Sequence, residues 1–466
     1  MKALGLKLRF VFAWLLAAEL LGCPSTSTDQ QEQHDTDAGA PNEPNEPNEP
    51  STAHMFMPIA TDGPANTRAP ELVLDGNGDL HAVYPAYFGG DAYYAFCPDA
   101  CNDPSDMQIV PLETDGTVLH ASLAVTSDGR PRILMSTALD LYYAECDGDC
   151  TDVASWDNAA ILFHDGDRSI SDGALALDAD DNPRFVMNTY IALLGIGQEA
   201  PQTFYAQCES GCTDGNQWAI SVIQDQIWEA SQLTFDSEGR AHLATVAVTL
   251  GGGGPTGRQA AYLACDSGCT SAEDWSGIIL AVAYEDYAQE IHPAISLALT
   301  GDDGPRVAVL AETATGGKQL AYFECDSDCE NDNWRVASIS EQDQLGSGVQ
   351  IQLDAQDHPS IAFTLANNIG VYECKGGDCI SEGAPWDLKE VELTSSLPVD
   401  DIIFWPNCTV AGWAFQDPSL VLGASGAMYV GYQAADLSGG ATTSDPTKPA
   451  CLAGADMVLS RLALLR

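Results

Sequence analysis

Seven times along this chain, a short turn of acidic and small residues separates two apolar runs of strand length. The turns are Asp75 to Asp79, Ser127 to Pro131, Asp178 to Pro183, Asp236 to Gly239, Gly301 to Pro305, Asp354 to Pro359 and Gly423 to Gly426. Apolar runs flanking such a turn are the signature of a β-hairpin. Consecutive turns lie roughly 50 to 70 residues apart, the range of four-stranded propeller blades rather than of solenoid coils.

A second element follows each of the first six turns. It reads Tyr-x-x-Cys-x-x-x-Cys from Tyr94, Tyr143, Tyr205, Tyr262 and Tyr322, with a variant at Tyr372, Cys374 and Cys379. Trp156, Trp218, Trp275, Trp334 and Trp386 follow in their repeats, and Met107 takes that place in the first. Each blade therefore has strands A and B around the turn, C ending at the first Cys, and D led by the Trp. The expected fold is all-β: a single seven-bladed propeller of four-stranded antiparallel blades over 53–466. The last blade lacks a D strand of its own. Met55 to Ala60 repeats the pattern of Met107 to Leu112, so this N-terminal strand is expected to close the ring against Met457 to Leu465.

Of the 15 cysteines, twelve fall in local pairs. Two thiols flanking a three-residue turn come within bridging distance, whereas a thiolate metal site needs two pairs to converge. Pairs on successive blades splay apart. The expected disulfides are Cys97–Cys101, Cys146–Cys150, Cys208–Cys212, Cys265–Cys269, Cys325–Cys329 and Cys374–Cys379. Cys408 and Cys451 lie in connections that strand alternation puts on one face, and a seventh bridge is expected between them.

The formal net charge of −50 excludes a nucleic-acid or anionic-membrane surface, because phosphate binding needs a clustered basic face. Residues 1–22 read as an export signal with Lys2, Lys7 and Arg9 before an apolar stretch too short to span a bilayer. Leu20-Leu21-Gly22-Cys23 resembles the bacterial lipobox, which implies lipidation of Cys23. Residues 23–52 read as a disordered stalk, with Pro-Asn-Glu repeated from Pro41 to Glu49 favouring extended geometry. The expectation is a monomeric lipoprotein of the cell envelope. It would sit at the outer membrane, periplasmic or surface-exposed, and touch the membrane only through its anchor.

With A–B and C–D turns on a lower face, the B–C and D–A connections form an upper face. Residues leading into the A strands surround the mouth of the central channel there: Arg68, His120, Arg168, Asp172, Glu229, His292 and Gln350. Such a ring of polar groups is the default binding site. Trp405 and Trp413, flanking Cys408, are candidates for a sugar-stacking surface. No cofactor is expected. Asp75, Asn77 and Asp79 alternate in a way that suits calcium, but Asp, Asn and Gly are also the ordinary residues of tight turns.

Together these repeats resemble the sialidase-like, BNR-repeat propellers of bacteria. Arg68-Ala69-Pro70 is similar to that family's Arg-Ile-Pro segment, in which the Arg binds the sialate carboxylate. The family's Asp-boxes between strands C and D are absent; here the acidic turns lie between A and B. A sialidase would also need two further arginines and a Tyr–Glu pair. Arg168 and Arg258 are candidates for the cluster, whereas Arg132, Arg184 and Arg306 begin B strands as part of the repeat. The leading expectation is a non-enzymatic module recognising a glycan or protein through its upper face. A sialidase-like glycoside hydrolase is the alternative.

Overall fold

The computed structural model describes residues 52–59, 67–86, 91–137, 140–162, 173–188, 202–224, 227–251, 254–284, 294–342, 344–381, 383–397, 413–436 and 458–466. Residues from Pro50 to Arg466 form one compact unit. It holds seven four-stranded antiparallel sheets, the blades of a propeller. The A strands are Glu71–Leu74, His120–Val125, Gly173–Leu177, Ile227–Phe235, Ile295–Leu299, Leu345–Leu353 and Trp413–Leu422. They line the central channel. B strands such as Leu80–Pro85 and Pro183–Asn188 are buried along their whole length, since each is sandwiched between neighbouring blades. That is why they read as near-continuous apolar runs and not as strict alternation.

The A–B turns share one construction. In the first six blades the opening residue, Asp75, Thr126, Asp178, Asp236, Thr300 or Asp354, accepts amide hydrogens of its own turn through its side chain: Asp178 Oδ1 takes the amides of Asp180 and Asn182, both at 3.0 Å. In blade seven the opening residue is Gly423. The fourth residue has positive φ. It is Gly at 78, 129, 239 and 426, and Asp at 181, 303 and 357. These three aspartates reach the turn of the preceding blade. Asp181 accepts the amide and hydroxyl of Ser127 at 2.9 and 2.6 Å, Asp303 those of Ser237, and Asp357 the amide of Gly301 at 2.8 Å. Three acids of the lower face, Asp181, Asp303 and Asp357, are thus clips between blades.

This arrangement answers the calcium reading. Asp75 Oδ1 accepts the amides of Asn77 and Asp79, and Oδ2 accepts the Asn77 side-chain amide. Asp79 accepts the amide of Asp99 at 2.7 Å. Asp75 is thus committed to its own turn, and Asp79 to the loop that carries Asp99. Among the described residues, no group of three or more His, Cys, Asp or Glu side chains could hold a metal ion.

All six local disulfides form, with Cα atoms 5.0 to 6.0 Å apart. The following Trp explains the rest of the motif. Its indole N–H donates to the carbonyl of the second Cys: Trp156 to Cys150, Trp218 to Cys212, Trp275 to Cys269, Trp334 to Cys329 and Trp386 to Cys379. Its ring packs against the motif Tyr of the blade before: Tyr94, Tyr143, Tyr205, Tyr262 and Tyr322 respectively, with centroids 4.8 to 5.8 Å apart. One repeat unit therefore staples its own outer hairpin and grips its neighbour. Arg132, Arg184 and Arg306 belong to the same unit. Each donates to the carbonyl of the first Cys of its blade.

The ring closes with a strand from the N-terminal end, as the sequence suggests, but in a shifted frame. The strand is Thr52–Phe56, paired with Val458–Leu465 from Thr52 opposite Leu465 to Phe56 opposite Arg461. Met57 adds one last amide bond to Ser460 at 2.9 Å. Pro58 has no N–H to continue the ladder, and its carbonyl instead accepts the Tyr84 hydroxyl. Strand A of blade seven begins at Trp413. A bulge between Gln416 and Ser419, holding Asp417 at φ 52° and Pro418, lets the strand run on through the break.

Candidate functional site

The central channel holds a cavity of about 670 Å³ walled by the A strands. The strands align on the residue just before an inward Leu or Ile: Ser419, Glu71, Ser122, Ala174, Gln232, Ser296 and Gln350 precede Leu420, Leu72, Leu123, Leu175, Leu233, Leu297 and Ile351. Side chains in this ring hold the blades together. Ser419 accepts the amide of Leu72 at 3.0 Å, Glu71 that of Leu123 at 3.2 Å, and Ser122 that of Leu175 at 3.1 Å. Gln232 accepts the amide of Leu297 at 2.8 Å and the Ser296 hydroxyl at 2.9 Å, while Ser296 accepts the amide of Ile351 at 3.0 Å. The channel wall is stitched one blade to the next by short polar side chains.

Glu71 is the acid in that ring. Burial pushes its carboxyl from 4.5 up to about 7, against the opposing effect of hydrogen bonds from the Leu123 amide and the Ser122 side chain. No cation is among these partners. Near neutral pH the group is divided between its two protonation states.

The structure places three of the sequence-derived candidates on the cavity wall: Arg68, His120 and Gln350. Arg68 is fixed by its amide to the Pro85 carbonyl at 2.8 Å, and its guanidinium reaches the Leu119 carbonyl at 3.3 Å. His120 opens strand A of blade two opposite Ser136. Gln350 lies one layer deeper than the mouth, level with Glu71 in the aligned ring. Glu229 is on strand A of blade four, opposite Val246. Arg168, Asp172, His292, Trp405, Cys408 and Cys451 lie outside the described residues.

Two candidates stand elsewhere. Trp413 is 5% exposed and packs in the core of blades six and seven with Leu397 and Phe415, so the reading of it as a sugar platform gives way to a core role. Its large apolar ring at the start of a strand is better satisfied between sheets than in water. Arg258 lies on strand C of blade four, opposite Val248, two strands out from the channel wall. Arg68 is thus the arginine of the cavity among the described residues. Glu71, Gln232, Gln352 and Asp417 also line it, and the sequence reading did not single them out.

The sequence matches no protein-family model and no curated protein. Solved structures similar to it include the polysaccharide lyase Uly1, at 8% identity over 88% of this chain and 91% of that chain, with a TM-score of 0.45. The sialidase NanB from Streptococcus pneumoniae is 12% identical over 88% of this chain and 70% of its own, with a TM-score of 0.43. An α-L-arabinanase from Penicillium chrysogenum, complexed with arabinobiose, is 13% identical over 72% of this chain and 96% of its own, with a TM-score of 0.44. These neighbours include propellers of sialidase and lyase type, and likeness at this level carries no activity across to the present chain.

Proposed function

We propose that this protein is a non-enzymatic binding module whose upper channel mouth takes a glycan. The observation that carries the reading is the cavity itself: Arg68, His120, Gln350, Gln232 and Gln352 converge on one space of about 670 Å³. Guanidinium, imidazole and amide groups are the donors and acceptors that ring hydroxyls need. Support for binding over cleavage comes from what the wall contains. Among its described residues there is one arginine and no tyrosine, whereas sialidase chemistry calls for an arginine cluster and a Tyr–Glu pair.

Six disulfides point to folding in an oxidising compartment, so this is an extracellular or envelope protein. Within that frame we assign it to the outer membrane as a monomer, held by acyl chains on Cys23 and the stalk over 23–52. Replacing Cys23 by Ser should release it from the membrane fraction.

A glycan array probed with the full-length chain, followed by calorimetric titration of the best binder, tests the main reading. Arg68→Ala and Gln350→Ala should each weaken binding roughly tenfold, the worth of one or two lost hydrogen bonds, while the protein stays folded. Binding unaffected by both substitutions would move the site away from the channel. Turnover of the bound glycan would replace this reading with the hydrolase.

A further inference from the structure

The ring of equivalent A-strand positions contains its own control for Glu71. Gln232 occupies the same place in blade four and does the same structural work. Its Oε1 accepts the amide of Leu297 and the hydroxyl of Ser296, as Glu71 accepts the amide of Leu123 and a hydrogen bond from Ser122. Ser419, Ser122 and Ser296 stitch their blades with a hydroxyl alone. The stitch therefore needs an acceptor oxygen and no charge. A carboxylate at this spot gains nothing over an amide as a clip, and it carries the penalty of partial desolvation without a cation beside it. Burial raises its pKa and only neutral hydrogen bonds oppose that.

A carboxylate that faces a cavity and lacks a counter-charge is half of an ion pair. We propose that the other half is brought by the ligand: Glu71 seats a protonated primary amine, such as that of a de-N-acetylated amino sugar. This rests on the glycan reading above and specifies its chemistry. The whole molecule favours such a ligand. A net charge of −50 draws cations toward the surface and repels anionic sugars. The other charged or titratable groups on the same wall are Arg68, His120, Asp417 and Asp303. Arg68 precedes Glu71 by three residues at the mouth, and Asp303 sits in the A–B turn of blade five and is held by Ser237. In the layer that holds Glu71, the other six positions are Ser, Ala or Gln, so an ammonium group there meets one carboxylate among neutral donors and acceptors.

The test is calorimetric titration of the full-length chain at pH 7.5 and physiological salt with two probes, a glucosamine tetrasaccharide and its N-acetylated counterpart. The free-amine probe should bind roughly tenfold tighter or better, as a charge-assisted hydrogen bond implies. Glu71→Gln should abolish that preference, leave binding of the acetylated probe unchanged, and melt no lower than the wild type, since Gln232 shows that an amide completes the stitch. Should the variant fail to fold, the wild type gives a second readout: its preference should vanish at pH 5, where Glu71 is protonated. Equal affinity for the two probes, or a preference that survives Glu71→Gln, overturns this proposal and leaves the glycan reading intact. Failure of both probes to bind, alongside a blank glycan array, removes both readings.

Discussion

Arg461 and Glu392 meet in a bidentate ion pair across the joint between blades six and seven. Nε and Nη2 donate to the two carboxylate oxygens at 2.6 and 2.5 Å, and the side chains are 3% and 2% exposed. The Tyr432 hydroxyl donates to the same carboxylate, and His54 of the closing strand lies 3.6 Å from it. Arg461→Ala would strand a buried carboxylate and should cost about 3–5 kcal/mol. Replacing both partners, as Arg461→Met with Glu392→Leu, should recover most of that loss. Thermal melting of the single and double variants checks this, and a double variant no better than the single would deny the pair its balancing role.

Removing Thr52 to Phe56 should open the ring. The outer edge of Val458–Leu465 would lose its partner, leaving unpaired backbone groups that invite association. The expected result is a melting temperature several degrees lower, or aggregation, as losing a few kcal/mol produces in a cooperative domain. Scanning calorimetry with light scattering reads both outcomes.

Asp303 does two jobs, and two substitutions separate them. It holds φ at 64° and accepts both hydrogen bonds from Ser237 of the neighbouring turn. Asp303→Gly keeps the turn but loses the clip, for about 1 kcal/mol. Asp303→Ala loses the clip and adds strain from positive φ, about 1 kcal/mol more. Denaturant titration should rank wild type above Gly above Ala. If the Ala variant is the more stable of the two, the turn geometry does not matter in the way argued.

Glu71 gives stability a pH dependence of defined sign. Its carboxyl stands at about 7 in the folded chain against 4.5 when exposed, so the folded state holds the proton more tightly. Stability from this group is complete below about pH 4.5 and falls as pH rises through 7. The loss should reach about 1–3 kcal/mol, allowing for water in the channel. Glu71→Gln should remove that contribution to the slope and be the more stable protein at pH 8. Denaturant midpoints at pH 5 and pH 8 for both proteins decide it.

What the sequence reveals is what repeats locally. The seven turns, the Cys pairs and the Tyr–Trp spacing are visible because each lies within one stretch of chain, and the blades follow from them. The closing strand is legible too, through the likeness of Met55 to Ala60 and Met107 to Leu112, but its frame is not. Pro58 sets where the ladder stops, and only the pairing with Ser460 reveals that. The role of the turn aspartates is hidden because their partners, such as Ser127 for Asp181, lie about one blade away in sequence. Glu71 escapes notice for a related reason. Its oddity appears only when seven A strands are aligned on Leu72, Leu123, Leu175, Leu233, Leu297, Ile351 and Leu420, and the blade-seven bulge obscures that column. Trp413 shows the converse, an aromatic in a loop-rich stretch that turns out to begin a core strand.

The pairing of Thr52 with Leu465 puts the two outermost residues of the seam at the same end of their strands. A pull applied between the chain's two ends therefore loads the seam as a zipper and not in shear. Its bonds break pair by pair, from Thr52–Leu465 inward, each carrying the whole load in turn. The last paired residues are Phe56 and Arg461, just before the Met57 amide bond to Ser460; there the guanidinium lies 4.6 Å from the Phe56 ring centroid and holds Glu392. The propeller is thus a soft mechanical fastening with a hard stop at its far end, and tension on the N-terminal side would peel four pairs before it met the one that resists.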